Sequence, residues 1–129
     1  MSTFTMTLLS GAVENESADF VIRLSEAALA AGHQVNLFLY GNGCNLANQE
    51  TAWTGERGMN DELTAFMDGF RLAARIEALA AKGAVIHTCH TTEYARGTEG
   101  CAYLSGVRRG NVGVSLMKFF INSDVAFAL

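Results

Sequence analysis

Three consecutive segments, "TFTMTLLS" (3–10), "SADFVIRLSEAALAAG" (17–32) and "HQVNLFLYG" (33–41), confine this chain to a narrow set of folds. The first alternates and is rich in threonine and large apolar residues, the pattern of a strand. The second places apolar residues at 20, 21, 24, 27, 28 and 31, a helical stripe. Asn15 or Ser17 is expected to cap its start, and Gly32 to end it in the left-handed conformation that glycine tolerates. The third is nearly all apolar, as a buried parallel strand is. Strand, helix and buried strand in that order describe the crossover unit of a parallel sheet.

The rest of the chain extends the same plan. "MNDELTAFMDGFRLAARIEALAAKG" (59–83) is expected to be a helix, opened by Asn60, Asp61 and Glu62, interrupted near Gly69 and stopped at Gly83. "AVIHTC" (84–89) is a third strand, "NVGVSLMKFFIN" (111–122) a helix and "DVAFAL" (124–129) a last strand, with short elements between 90 and 110. The pattern predicts a single three-layer α/β/α domain over residues 1–129. Its length suits one core, and no repeat or second domain is visible.

Composition excludes several function classes. The formal net charge is -4, and basic residues are scattered apart from the pairs Arg71/Arg75 and Arg108/Arg109. A nucleic-acid backbone needs a clustered basic face, so no nucleic-acid partner is expected. No apolar run reaches the length of a membrane span, and the first residues lack the positive charge of a secretory leader. Three cysteines are too few and too spread for a disulfide framework, which points to free thiols in a reducing cytoplasm.

In open parallel sheets, ligands gather beyond the carboxyl ends of the strands. Cys44 follows the strand 33–41, in the long polar loop "NGCNLANQETAWTGERG" (42–58), and Cys89 closes the strand 84–89. If the two strands are neighbours, both thiols lie on one rim. Cys89 has four roles open to it: core filler, metal ligand, half of a disulfide with Cys101, or nucleophile. The following Thr91, Thr92 and Glu93 look like a first helical turn, whose free N–H groups would favour a thiolate, as would His90 or Arg96. Alternation puts His87 on the same face as Cys89 and His90 on the other. That split, and the lack of closely paired cysteines, argue against zinc on His87, Cys89, His90 and Cys101. His33 reads as a helix C-terminal charge or a solvated side chain, and Trp53 as a residue packing the long loop onto the domain. Phosphate-loop, dinucleotide and nucleophile-elbow patterns are absent.

Order and spacing of these motifs resemble the DsrE/DsrF-like family, and within it the TusD/DsrE-type subunits of cytoplasmic sulfur relay. The third strand ends in Cys89, followed eight residues later by the glycine of Arg96-Gly97. "YGNGCNLAN" stands where that family has its loop after the second strand, and "GVSLMKFFINSDVAFAL" is similar to its ending. The resemblance implies a five-stranded, mainly parallel sheet between helices. It also implies a sulfurtransferase in which Cys89 is the catalytic residue, carrying sulfane sulfur as a persulfide, with no metal or organic cofactor. Cys44, Cys101, His87, His90 and Arg96 are candidate accessories. The implied partners are small sulfur-carrier proteins as donor and acceptor, and a trimer or hexamer of this chain or of related chains. Two other roles stay open: a non-catalytic subunit of such an oligomer, and a thiol redox sensor.

Overall fold

The computed structural model describes residues 1–12, 15–50 and 72–129. Along the chain run β1 (Thr3–Leu8), α1 (Ser17–Ala30), β2 (Gln34–Leu39), a short 3₁₀ turn (Gly41–Leu46), α2 (Leu72–Ala81), β3 (Val85–Cys89) and α3 (His90–Arg96). There follow β4 (Val107–Gly110), a π-helical turn (Val112–Leu116), α4 (Met117–Ile121) and β5 (Val125–Ala128). The five strands form one sheet in the order β4-β3-β2-β1-β5, with every neighbouring pair parallel. This is the α/β architecture expected.

Alternation along the strands gives the sheet two unlike faces. On one, Met6, Leu8, Leu37, Leu39 and Ile86 are almost fully buried against Val21 and Ile22 of α1 and Ile76 and Leu79 of α2. On the other stand Thr5, Thr7, Asn36, Phe38, His87, Cys89 and Arg108, related by the strand register. Only the π turn and α4 cover that second face among the described elements. Phe119 and Ser123 pin the cover to β1, for the Ser123 hydroxyl donates to the Phe119 carbonyl at 2.6 Å and is itself bonded to Thr5 Oγ1.

Local expectations meet the structure at particular residues. Asn15 does act at the start of α1, one position ahead of the cap residue Glu16, accepting from the Ser17 amide at 2.8 Å. The buried face of α1 is Ala18, Val21, Ile22, Ser25 and Ala28, while Phe20 stands 54% exposed. Ser25 occupies a core position because its hydroxyl donates to the Val21 carbonyl at 2.7 Å and so needs no outside partner. Gly32 and Gly83 have φ of 84° and 102°, the left-handed stops that helix termination requires.

Three places need more than the sequence reading offered. β4 carries no strand signature of its own: "VRRG" puts two arginines side by side, and the strand forms at the sheet edge, where exposed Arg108 and Arg109 meet water. The segment 111–122 is helical but opens as a π turn, with Asn111 Oδ1 accepting from the Val114 amide at 2.7 Å. His33, read as a helix C-terminal charge or a solvated side chain, is half-buried and partnered. Its Nδ1 accepts from the Ser2 amide at 3.2 Å and its ring lies against Phe4. Of the expected helix 59–83 the structure describes α2; Asn60, Asp61, Glu62, Gly69 and Trp53 lie outside the described residues. Among the described residues, no helix is long and apolar enough to cross a membrane.

Candidate functional site

β2 and β3 are adjacent and parallel, so the turns that leave their carboxyl ends share one rim, as the positions of Cys44 and Cys89 suggested. Each turn is built differently. Cys89 is both the last residue of β3 and the cap of α3, still extended at φ -77° and ψ 111°. Thr92 holds the turn by donating its hydroxyl to the Cys89 carbonyl at 3.0 Å. Eight residues after Cys89, α3 stops at Gly97, whose φ of 68° lets its own amide reach the Tyr94 carbonyl and the Thr98 amide reach that of Glu93. The Arg-Gly spacing therefore has a structural basis: it sets the length of the helix that Cys89 caps.

The Cys89 thiol is 1% exposed and lies in a small cluster with Phe38 and Leu116, bordered by Tyr40, Val112, Phe119 and Phe120. Directly across the sheet its register partner is Gly110. A side chain at Gly110 would press on Ser115 and on His87, so glycine there lets the π turn close over β3 and β4. His90 fastens the same corner, its Nδ1 lying 3.0 Å from the Gly110 carbonyl.

Cys44 sits in the 3₁₀ turn and is fully buried. The turn lies tight on the end of β1, where a Cβ on Gly43 would collide with the Leu8 carbonyl oxygen. Burial pushes the Cys44 thiol above its ordinary range, and the Glu93 carboxylate adds to this. The Thr92 and Thr98 hydroxyls and the Arg96 guanidinium act in the opposite sense. Arg96 ties the two turns together by donating to Asn42 Oδ1 at 2.8 Å. Cys44 and Cys89 thus share the rim but not the apolar cluster. Cys101 is apart from both. Its Sγ donates to Glu50 Oε2 at 3.5 Å, and partial burial together with that carboxylate raises its pKa.

His87 stands two residues before Cys89 on the same face, its ring centroid 4.9 Å from that of Phe119. Burial lowers its pKa, and the neighbouring Arg108 lowers it further, so the imidazole is held neutral. Among the described residues no hydrogen bond reaches its buried Nδ1. His87, Cys89, His90 and Cys101 do not converge: among the described residues no three groups of metal-ligating type come together.

No pattern in the sequence marks a buried carboxylate. Glu93 has the place of a polar first-turn residue in "HTTEYARG", yet it is 1% exposed. Its Oε2 accepts from the Tyr103 hydroxyl at 2.9 Å, and that hydroxyl in turn accepts from Arg109 Nε at 3.2 Å. Burial and the Glu93 bond raise the Tyr103 pKa against the pull of Arg109, so the phenol remains a donor. The only advance signal was the coincidence of Tyr103 and Arg109 near an acid, and distance in sequence hid it.

Comparison with known proteins agrees with this geometry. The sequence model of the DsrE/DsrF-like family matches residues 4–117. Among solved structures, the YchN protein of E. coli superposes with a TM-score of 0.71 at 20% identity, over 100% of both chains. MTH1491 of Methanobacterium thermoautotrophicum, a protein of unknown function, gives 0.68 at 14%, again over 100% of both. BT1422 of Bacteroides thetaiotaomicron, a conserved protein of unknown function, gives 0.61 at 11%, over 98% of this chain and 94% of that one. None of the curated protein sequences matches the chain.

Proposed function

This chain belongs to the DsrE/DsrF-like family, which is linked to sulfur relay, and on that premise we propose that it is a sulfurtransferase whose carrier is Cys89. The observation that carries the proposal is the position of Cys89 at the β3–α3 turn, capping a helix that Gly97 ends at the family spacing. The Cys89 thiolate attacks the outer sulfur of a donor persulfide R–S–SH. The donor S–S bond breaks, R–S⁻ leaves with the electron pair, and Cys89 holds the sulfur as Cys–S–SH. An acceptor thiolate on a small partner protein reverses these roles and takes the sulfur away. Exchange between sulfurs balances without an electron donor, so the step calls for no metal or organic cofactor. We place the protein in the cytoplasm, as a trimer or hexamer of this chain or with related subunits.

Burial of Cys89 gives the reading a condition. A thiol 1% exposed reacts only when the cover of Leu116 and Phe119 shifts. The same burial favours a second reading, a non-catalytic subunit in which Cys89 is a core residue. Mass spectrometry of the intact reduced protein after exposure to inorganic polysulfide separates the two. Gain of one or more sulfur atoms, lost in Cys89→Ser, retained in Cys44→Ser and Cys101→Ser, and reversed by a thiol reductant, is the expected result. No gain, or a gain indifferent to Cys89, leaves the non-catalytic subunit.

A further inference from the structure

The second face of the sheet holds a cavity of about 480 Å³ between the amino-terminal halves of β1, β2 and β3 and the cover formed by the π turn and α4. Val85 and His87 form part of its floor, and Ser115, Lys118 and Phe119 part of its roof. Its charge is distinctive in an acidic protein. Lys118 lines it, and Arg108, the register partner of His87, projects from the same face beside that ring. Among the described residues neither makes an ion pair and no carboxylate lines the cavity. Asp124, beside the lining residue Thr3, is engaged with the Thr3 amide at 2.7 Å. Hydrogen-bond donors remain: the Lys118 ammonium, the Ser115 hydroxyl and the Gln34 amide NH₂, whose oxygen alone is taken by Thr3. A site with spare donors, unpaired cations and an apolar wall suits a small anion rather than a cation or a neutral sugar.

The cavity also points somewhere. Val85, His87 and Cys89 follow one another on the same face of β3, so Cys89 lies one two-residue step, roughly 6.6 Å, beyond the His87 floor. Phe119 is the partition, for it lines the cavity, touches the His87 ring and packs in the cluster around Cys89. We propose that this cavity is the entry site for a small sulfur oxyanion bearing a sulfane sulfur, the class of thiosulfate, held by Lys118 and Arg108 beside His87 and delivered to Cys89 past Phe119. This rests on the persulfide reading of Cys89 and adds a small-molecule donor to it. Attack of the Cys89 thiolate on the outer sulfur of thiosulfate breaks the S–S bond. Sulfite leaves with the electron pair, and Cys89–S–S⁻ remains, so atoms and charge balance with no further reactant.

The test compares the wild type with Lys118→Gln, Arg108→Gln and the double variant, all at exposed positions that leave the core intact. Thiosulfate is the donor, sulfur gain on Cys89 is the readout, and alkylation by neutral iodoacetamide reports thiol access alone. Saturable loading is expected, with a half-saturating thiosulfate concentration raised at least about tenfold in the double variant. Iodoacetamide rates should stay within about twofold. In Cys89→Ser, which cannot react, thiosulfate should shift the NMR signals of His87 and Phe119. Unchanged half-saturation, or an equal loss with iodoacetamide, overturns the site. Loading from inorganic polysulfide but none from thiosulfate also overturns it, while the carrier role of Cys89 stands. Loading from neither overturns both.

Discussion

The two faces of the sheet are made from the same five strands and do different work. One is dry and continuous: leucine, isoleucine, valine and methionine from four strands meet two helices of 14 and 10 residues. The other is threonine, asparagine, histidine and cysteine under a cover whose α-helical part is five residues long. A thick apolar layer resists opening, whereas a thin cover held by a few hydrogen bonds opens at small cost. The reactive candidate sits under the thin one. Stability and access are therefore separated across the sheet rather than traded at one site.

Truncation on each face breaks or sharpens that contrast. Leu37→Ala empties a site that is fully buried on the dry face, and should cost about 2–5 kcal/mol in urea denaturation. Cys89 alkylation in native buffer should hardly change. Leu116→Ala removes part of the roof over Cys89, where the residue is already 6% exposed and its neighbours can settle. Its stability cost should be about 1–2 kcal/mol, while iodoacetamide reacts with Cys89 about tenfold faster. If both variants lose stability equally and neither gains reactivity, the cover is part of one rigid core and the separation fails.

The dry face was legible in the sequence because burial writes itself into periodicity. "HQVNLFLYG" and "AVIHTC" announce buried strands, and Gly32 and Gly83 announce helix ends, for reasons local to a few residues. Cys89 was legible by place, being the end of a strand on the carboxyl rim. What escaped depends on partners distant along the chain. β4 exists because β3 offers an edge, not because "VRRG" prefers extension. Glu93 is buried because Tyr103, ten residues on, supplies a hydroxyl. The stripe of α1 misplaced Phe20 because alanines and a self-bonded Ser25 let a neighbouring stripe serve as the buried one.

A pH experiment bears on the polar face alone. His87 has its pKa lowered from the ordinary 6.5, first by burial and then by Arg108. Lys118 faces it across the cavity and is a further cation. Above about pH 6.5 the ring is neutral folded or unfolded and exacts no penalty. As pH falls below that value the unfolded chain takes up a proton that the native ring refuses, and stability declines until the folded ring titrates too. Comparing urea midpoints at pH 7.5 and 5.5 should find a smaller drop in His87→Asn than in the wild type. An equal drop would mean that the native imidazole charges as freely as a solvated one.

The counterpart on the dry side is weaker and opposite in chemistry. Arg75 of α2 clasps Glu26 of α1 through two bonds of 2.9 Å and reaches Asp19 at 2.7 Å, across the seam between the two helices. The Arg75 bond lowers the Glu26 pKa despite some burial. For Asp19, burial works the other way and is outweighed by Arg23 and Arg75. Both carboxylates therefore support the fold above their ordinary values of 4.5 and 3.8. That support is lost as pH falls through the lower folded values. Glu26 is 38% exposed, so solvent and salt screen much of the attraction. Arg75→Ala should cost about 1 kcal/mol at low ionic strength and less in 0.5 M salt. It should also flatten the stability loss between pH 5 and 3, and leave Cys89 alkylation untouched. A change in thiol reactivity in this variant would show that the helix seam and the thin cover are coupled through the sheet after all.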